Sequence, residues 1–187
     1  MRIISGNSKG KKILGPKDIQ TRPLKDLTKE SIFNIIVHSN KFNIQLENSH
    51  ILDMFSGCGS FGLECLSRGS EHVTFIENYN EILTILRKNI SNLGYQDNSV
   101  IIKQDIINNL NLKITKQQFD IIFLDPPYKE KKLSEIFDNI ILSKVLKKNG
   151  IVILHRHKKE NDKFTEKFRI IDEKNYGISK IIFGTIF

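Results

Sequence analysis

Five short apolar runs, spaced by segments with helical periodicity, constrain this chain more than any other feature. Ile51-Leu52-Asp53-Met54-Phe55, His72–Ile76, Val100–Ile102, Phe119–Leu124 and Ile151–His155 are each nearly continuous in apolar residues. Strands of that kind are buried on both faces, which is the habit of a parallel sheet covered by helices. The intervening segments supply the helices. Leu63–Arg68 is closed by Gly69, Ile82, Leu83, Leu86, Ile90 and Leu93 share one face up to Gly94, and a third helix runs through about Ile136–Leu146 to a stop near Gly150. Phe168–Asp172 and Ile178–Phe187 follow with only a turn at Gly177 between them, so they are expected as an antiparallel pair at one edge. The prediction is an α/β fold: an open, mostly parallel seven-stranded sheet with an antiparallel C-terminal edge.

Ahead of the first strand, residues 1–17 alternate apolar and polar around Gly6, Gly10 and Gly15-Pro16, as a short hairpin would. Leu27, Ile32-Phe33 and Ile35-Ile36 then mark a helix to about His38. We therefore expect residues 1–40 to be a basic hairpin and helix appended to a core domain at 41–187. A chain of 187 residues fits that single core without disulfides or a metal staple. Lys and Arg number 29 against 21 Asp and Glu, a net charge of +8 that points to a polyanionic partner such as RNA or DNA. Two cysteines, Cys58 and Cys65, make neither a disulfide framework nor a zinc site. His155-Arg156-His157 lacks metal spacing, so no metal is expected. No apolar stretch approaches the roughly 20 residues of a membrane span. A cytoplasmic location without membrane attachment is the expectation.

Two constellations carry chemistry. Gly57, Gly59 and Gly62 form G-x-G-x-x-G between a predicted strand and helix, with Glu77 twenty residues after Gly57 at the end of the next strand. Glycines there turn the backbone tightly and admit a nucleoside cofactor, and the carboxylate can accept from ribose hydroxyls. A dinucleotide enzyme would need a second substrate domain, and too few residues follow Gly150 to build one. Asp53, inside the strand before the loop, needs amide donors or a cationic amino group opposite it. The second constellation is Asp125-Pro126-Pro127-Tyr128 at the end of the fourth strand. Two prolines make this a stiff rim where open α/β sheets bind ligands. Asp125 and the Pro126 carbonyl offer acceptors to a planar NH2 group, and Tyr128 offers an aromatic face to a base taken out of its stack.

The two motifs in this order resemble the Rossmann-like class I methyltransferases that modify exocyclic amines of bases. Three more segments narrow the resemblance: Met1–Gly6 with Lys9-Gly10-Lys11-Lys12, then Thr21–Asn34, then Leu52–Gly69. With D-P-P-Y these resemble the RsmD family of bacterial 16S rRNA guanine-N2 methyltransferases over nearly the whole chain. Leu24 stands where the family usually has Thr, Leu27 where it has a basic residue, and Cys58 where it has a small polar one.

The resemblance implies S-adenosylmethionine as cofactor, S-adenosylhomocysteine as product and methylation of the N2 amine of a guanine, of the 16S rRNA (guanine(966)-N2) type. It implies a cofactor pocket of Asp53, Phe55, Gly57, Gly59, Glu77, Asp105 and Ile106, with Asp105 accepting from the adenine amino group. An Asp just after a strand is also often a helix N-cap. Asp125, Pro126, Pro127 and Tyr128 would be the catalytic set, and Arg2, Lys9, Lys11, Lys12 and Arg22 the contacts to substrate RNA. The implied partner is 16S rRNA within a small-subunit particle or assembly intermediate, met by a monomer. Two other readings stay open at this point: an adenine-N6 methyltransferase acting on RNA or DNA, and a non-catalytic RNA-binding assembly factor.

Overall fold

The computed structural model describes residues 1–16 and 24–187. Helix α1 (Asp26–His38) precedes strand β1 (His50–Met54), and α2 (Ser60–Ser67), β2 (His72–Glu77), α3 (Asn80–Leu93) and β3 (Ser99–Lys103) follow in alternation. A 3-10 turn (Leu112–Thr115) leads to β4 (Phe119–Leu124), α4 (Leu133–Ser143) and β5 (Leu146–His157), then β6 (Phe168–Tyr176) and β7 (Ser179–Ile186). The seven strands lie in the order β3-β2-β1-β4-β5-β7-β6. All pairs up to β5 are parallel, and the β5–β7 and β6–β7 pairs are antiparallel. The expected fold class is the one observed.

Strand pleating splits the core in two. Ile51, Phe75, Ile121, Phe123, Ile153 and Phe183 point to one face, where they meet α1, α2 and α3. Leu52, Ile76, Ile122, Leu124, Val152 and Ile182 point to the other, against α4 and the 3-10 turn. Helix α2 ends in a Schellman motif: Arg68 caps it, Gly69 follows at φ 97°, and the Ser70 and Gly69 amides donate to Cys65 and Leu66 carbonyls. Gly62, inside α2, lets the helix sit on β2. A Cβ there would lie 2.4 Å from Phe75 Cε1 and 2.7 Å from Val73 Cγ1.

The N-terminal hairpin is pinned rather than laddered. Arg2 and Lys12 form an isolated antiparallel bridge, and the Ile3, Gly10 and Ile13 amides complete the pairing. The predicted third helix needs correction. It spans Leu133–Ser143 and ends at Lys144, which takes a left-handed φ of 52°, so Leu146 is already in the sheet opposite Phe119. Gly150 is a strand residue, not a helix stop. The register shifts between the pairs Phe119–Leu146 and Ile121–Ile151, and a Cβ on Gly150 would lie 3.0 Å from the Asp120 carbonyl. Strand β6 also runs past Asp172, because an edge strand carries Glu173, Lys174 and Asn175 toward solvent without cost. No helix among the described residues is long and apolar enough to cross a membrane.

Candidate active site

Strand order turns back between β1 and β4, and the crevice at the carboxyl ends of strands so arranged is the usual ligand site of an open α/β sheet. A cleft of about 960 Å³ opens there. Its lining takes in Asp53, Phe55, Gly57, Glu77, Asp105 and Ile106 on one side and Asp125, Pro126, Pro127 and Tyr128 on the other. Motifs separated by scores of residues thus share one space, of a size that suits a nucleoside-scale ligand plus part of a second one.

The glycine loop leaves β1 through Phe55, a non-glycine residue at φ 59°, and turns at Gly57 (φ 54°) and Gly59 (φ 85°). Glu77 fastens it: Oε2 accepts from the Gly57 amide at 2.9 Å, and Oε1 accepts from the Asn78 and Tyr79 amides at 2.8 and 3.0 Å. Gly59 does not line the cleft. It opens α2, and a Cβ there would lie 2.5 Å from Leu86 Cδ1, so this glycine serves the packing of the loop on α3. Asp53 is 1% exposed, and its Oδ2 accepts from the Gly62 amide at 2.9 Å. Burial pushes this carboxyl well above the usual carboxylate range, and the Asp125 and Glu77 charges add to the rise against the Gly62 bond. Asp105 caps a turn. Its Oδ1 accepts from the Ile107 and Asn108 amides and its Oδ2 from the Asn108 side chain, which holds the carboxyl below its usual range.

Three polar atoms in the cleft wall, Asp26 Oδ1, Ser56 Oγ and Gln104 Oε1, are buried without a hydrogen-bond partner among the described residues. Such atoms are costly unless a ligand or water meets them, and they fit a nucleoside rich in hydroxyl, amino and ring-nitrogen groups. Both thiols are buried. Burial raises Cys58 to about 11 and drives Cys65 well up.

Across the cleft, the Asp125-Pro126-Pro127-Tyr128 rim is braced from behind. Arg156, 1% exposed, donates from Nη1 to the Pro127 carbonyl and from Nη2 to the Glu130 carbonyl, both at 2.9 Å. Its charge is met by Asp162, which accepts from Nε and Nη2. The Tyr128 ring stands edge-on to His157 at 5.4 Å and to His155 at 5.9 Å. His155 Nδ1 lies 2.8 Å from Asp125 Oδ1.

The family model described as "Conserved hypothetical protein 95" matches residues 1–185. The chain belongs to the RsmD family. Two members named ribosomal RNA small subunit methyltransferase D stand close to it. That of Haemophilus influenzae is 29% identical over 179 residues, covering 95% of this chain and 90% of that protein. That of Buchnera aphidicola from Acyrthosiphon pisum is 32% identical over 178 residues, covering 95% and 85%. A solved Haemophilus influenzae structure described as a methylase is 28% identical, with a TM-score of 0.73 over 98% of this chain and 96% of that one. The Escherichia coli protein yhhF superposes with a TM-score of 0.80 over 98% and 96% of the two chains at 22% identity, a likeness of fold.

In this RsmD-family chain none of the described candidate RNA contacts lines the cleft, although Met1 beside Arg2 does. Arg2, Lys9, Lys11 and Lys12 are exposed along the hairpin, and Arg22 lies outside the described residues. Sequence reasoning missed Arg156 and His155. A strand-end histidine and arginine announce nothing by themselves. The signal available was parity, since His155 shares its strand face with Ile151 and Ile153 and Asp125 shares that of Ile121 and Phe123.

Proposed function

We propose that this chain transfers a methyl group from S-adenosylmethionine to the N2 amine of a guanine in small-subunit rRNA, at the position 966 that the resemblance implies. One observation carries the reading: the Gly57–Glu77 turn and the Asp125–Tyr128 rim face into the same cleft. The rRNA methyltransferase names of the relatives support it. Bound there, S-adenosylmethionine supplies a methyl on a sulfonium, already a good leaving group, so positioning carries much of the rate.

The residues divide that task. Glu77 Oε2, with one amide bond made, has capacity left for a ribose hydroxyl. Asp105 and the Ile106 amide hold the adenine edge, with Gln104 Oε1 beside them. Phe55 and Gly57 shape the wall, and Asp53 faces the amino end. Asp125 and the Pro126 carbonyl accept from the two N–H groups of the target amine, which frees its lone pair from the ring and turns it toward the methyl. Tyr128 stacks on the flipped base. The methylated amine then releases its proton to Asp125 or to water. Arg2, Lys9, Lys11, Lys12 and Arg22 contact phosphate, and the substrate is a small-subunit particle or assembly intermediate met by a monomer.

Tritiated methyl transfer onto small subunits lacking base methylation, with nucleoside analysis, tests this. N2-methylguanosine is expected. N6-methyladenosine would move the assignment to adenine, and no label despite cofactor binding would remove rRNA as the substrate. Asp125→Ala should abolish transfer while calorimetry finds cofactor affinity within a few-fold; a fully active variant would refute the role given to Asp125.

A further inference from the structure

We infer that His155 is a positioning residue for Asp125: it holds one carboxylate oxygen so that the other is presented to the target amine. This rests on the reading of Asp125 as that amine's acceptor. The sheet register brings the two together. Leu124 pairs with Leu154, so the residues that follow, Asp125 and His155, fall side by side at the carboxyl ends of β4 and β5 on the face of the sheet toward α2. The antiparallel partner completes the set. His155 pairs with Ile181, and Ser179, two residues back along β7, lies on the same face.

The geometry is that of a carboxylate with one oxygen tied. The His155 side chain is 7% exposed and that of Asp125 20%, and Nδ1 lies 2.8 Å from Oδ1. An ionised carboxylate only accepts, so the Nδ1 proton faces Oδ1 both in the matching neutral tautomer and in the imidazolium. The other ring nitrogen, Nε2, lies 2.9 Å from Ser179 Oγ, a buried hydroxyl that donates to the neutral ring and accepts from the charged one. On the rim side the Tyr128 ring stands edge-on to the imidazole, with the ring centroids 5.9 Å apart. Asp125 Oδ2 makes no hydrogen bond among the described residues. Without the ring, a carboxylate at the mouth of a cleft samples several rotamers, and a displacement of about 1 Å at such a group costs on the order of a hundred-fold in rate.

The test is kinetic and spectroscopic on the full chain. His155→Ala should lower kcat about 10- to 100-fold with KM and Kd for S-adenosylmethionine within two-fold. His155→Asn, whose amide can donate near the Nδ1 position, should recover most of that loss. Ser179→Ala, a gentler change, should cost about 3- to 10-fold, since ring orientation and not the bond itself is weakened. In an Asp125→Asn background with residual activity, or in its measured background rate, His155→Ala should cost nothing further. Independently of turnover, ¹⁵N-histidine spectra should show a slowly exchanging His155 Nδ1 proton that Asp125→Ala removes. An Nδ1 proton indifferent to Asp125→Ala, a kcat within two-fold in His155→Ala, or equal loss in kcat and cofactor affinity would each overturn the proposal. If the unaltered chain methylates no rRNA while the Nδ1 proton still depends on Asp125, it is the proposed reaction that fails and the contact that stands.

Discussion

At the residue scale, Asp53 shows what burying a carboxyl costs. Strand parity turns it, with Ile51, toward α2, where the Gly62 amide is the one backbone donor to it among the described residues. Because burial raises its folded pKa above the unfolded value, the proton stays on in the folded chain after the unfolded chain has released it. The stability this protonated form contributes is complete below about pH 4 and is lost as pH rises through the folded pKa. Asp53→Asn keeps an acceptor for Gly62 and holds no titrating proton. Thermal melts from pH 4 to 7.5 should therefore show the variant gaining on the parent chain as pH rises, by up to about 1.4 kcal/mol per pH unit. A difference that stays constant across that range would refute the assignment.

At the scale of elements, the basic hairpin is held by α2 rather than by its own pairing. Glu64 is the clasp: its carboxylate accepts from the Ile4 and Ser5 amides at 2.8 and 2.9 Å and from Arg68 Nε at 2.9 Å. Lys29 of α1 reaches the same carboxylate at 3.4 Å, with both side chains fully buried, and donates to the Arg2 carbonyl. Burial lowers the Lys29 pKa, and Glu64 opposes that fall. Gly6 lies so close that a Cβ would overlap the Ser67 carbonyl, and Asn89 of α3 ties Leu14 to the Cys58 carbonyl. Glu64→Ala would leave the buried Lys29 ammonium with only the longer contact to Asp26, at 4.0 Å, a loss of up to about 3–5 kcal/mol by urea unfolding. A change below about 1 kcal/mol would mean that the hairpin is held by its other ties, such as Lys29 to the Arg2 carbonyl and Asn89 to Leu14, and not by Glu64. Here the sequence was partly legible. Gly6 and the lysines marked a hairpin, but nothing in residues 1–17 pointed to Glu64 as what holds it, because the two are some 60 residues apart.

For the molecule as a whole, the +8 charge has a measurable consequence. Should Arg2, Lys9, Lys11 and Lys12 each neutralise one phosphate, log K for a single-stranded RNA should fall with log salt at a slope of about −3. Replacing the three lysines with alanine should flatten that slope by about 2, read from fluorescence anisotropy between 50 and 200 mM salt. An unchanged slope would place the phosphate contacts elsewhere. The sheet, its helices and the two motif-bearing loops follow from local properties: runs of apolar residues, helical spacing, glycines needing positive φ, and prolines that stiffen a strand end. These act over a few residues, so a linear reading captures them. The helix ending at Ser143, the bulge before Gly150, the buried Lys29–Glu64 pair, the Arg156 brace and the His155–Asp125–Ser179 line were beyond it. Each depends on which strand lies beside which and in what register, and on which charges the packing leaves without water. That information exists only once residues far apart in the chain are brought within a few ångströms of one another.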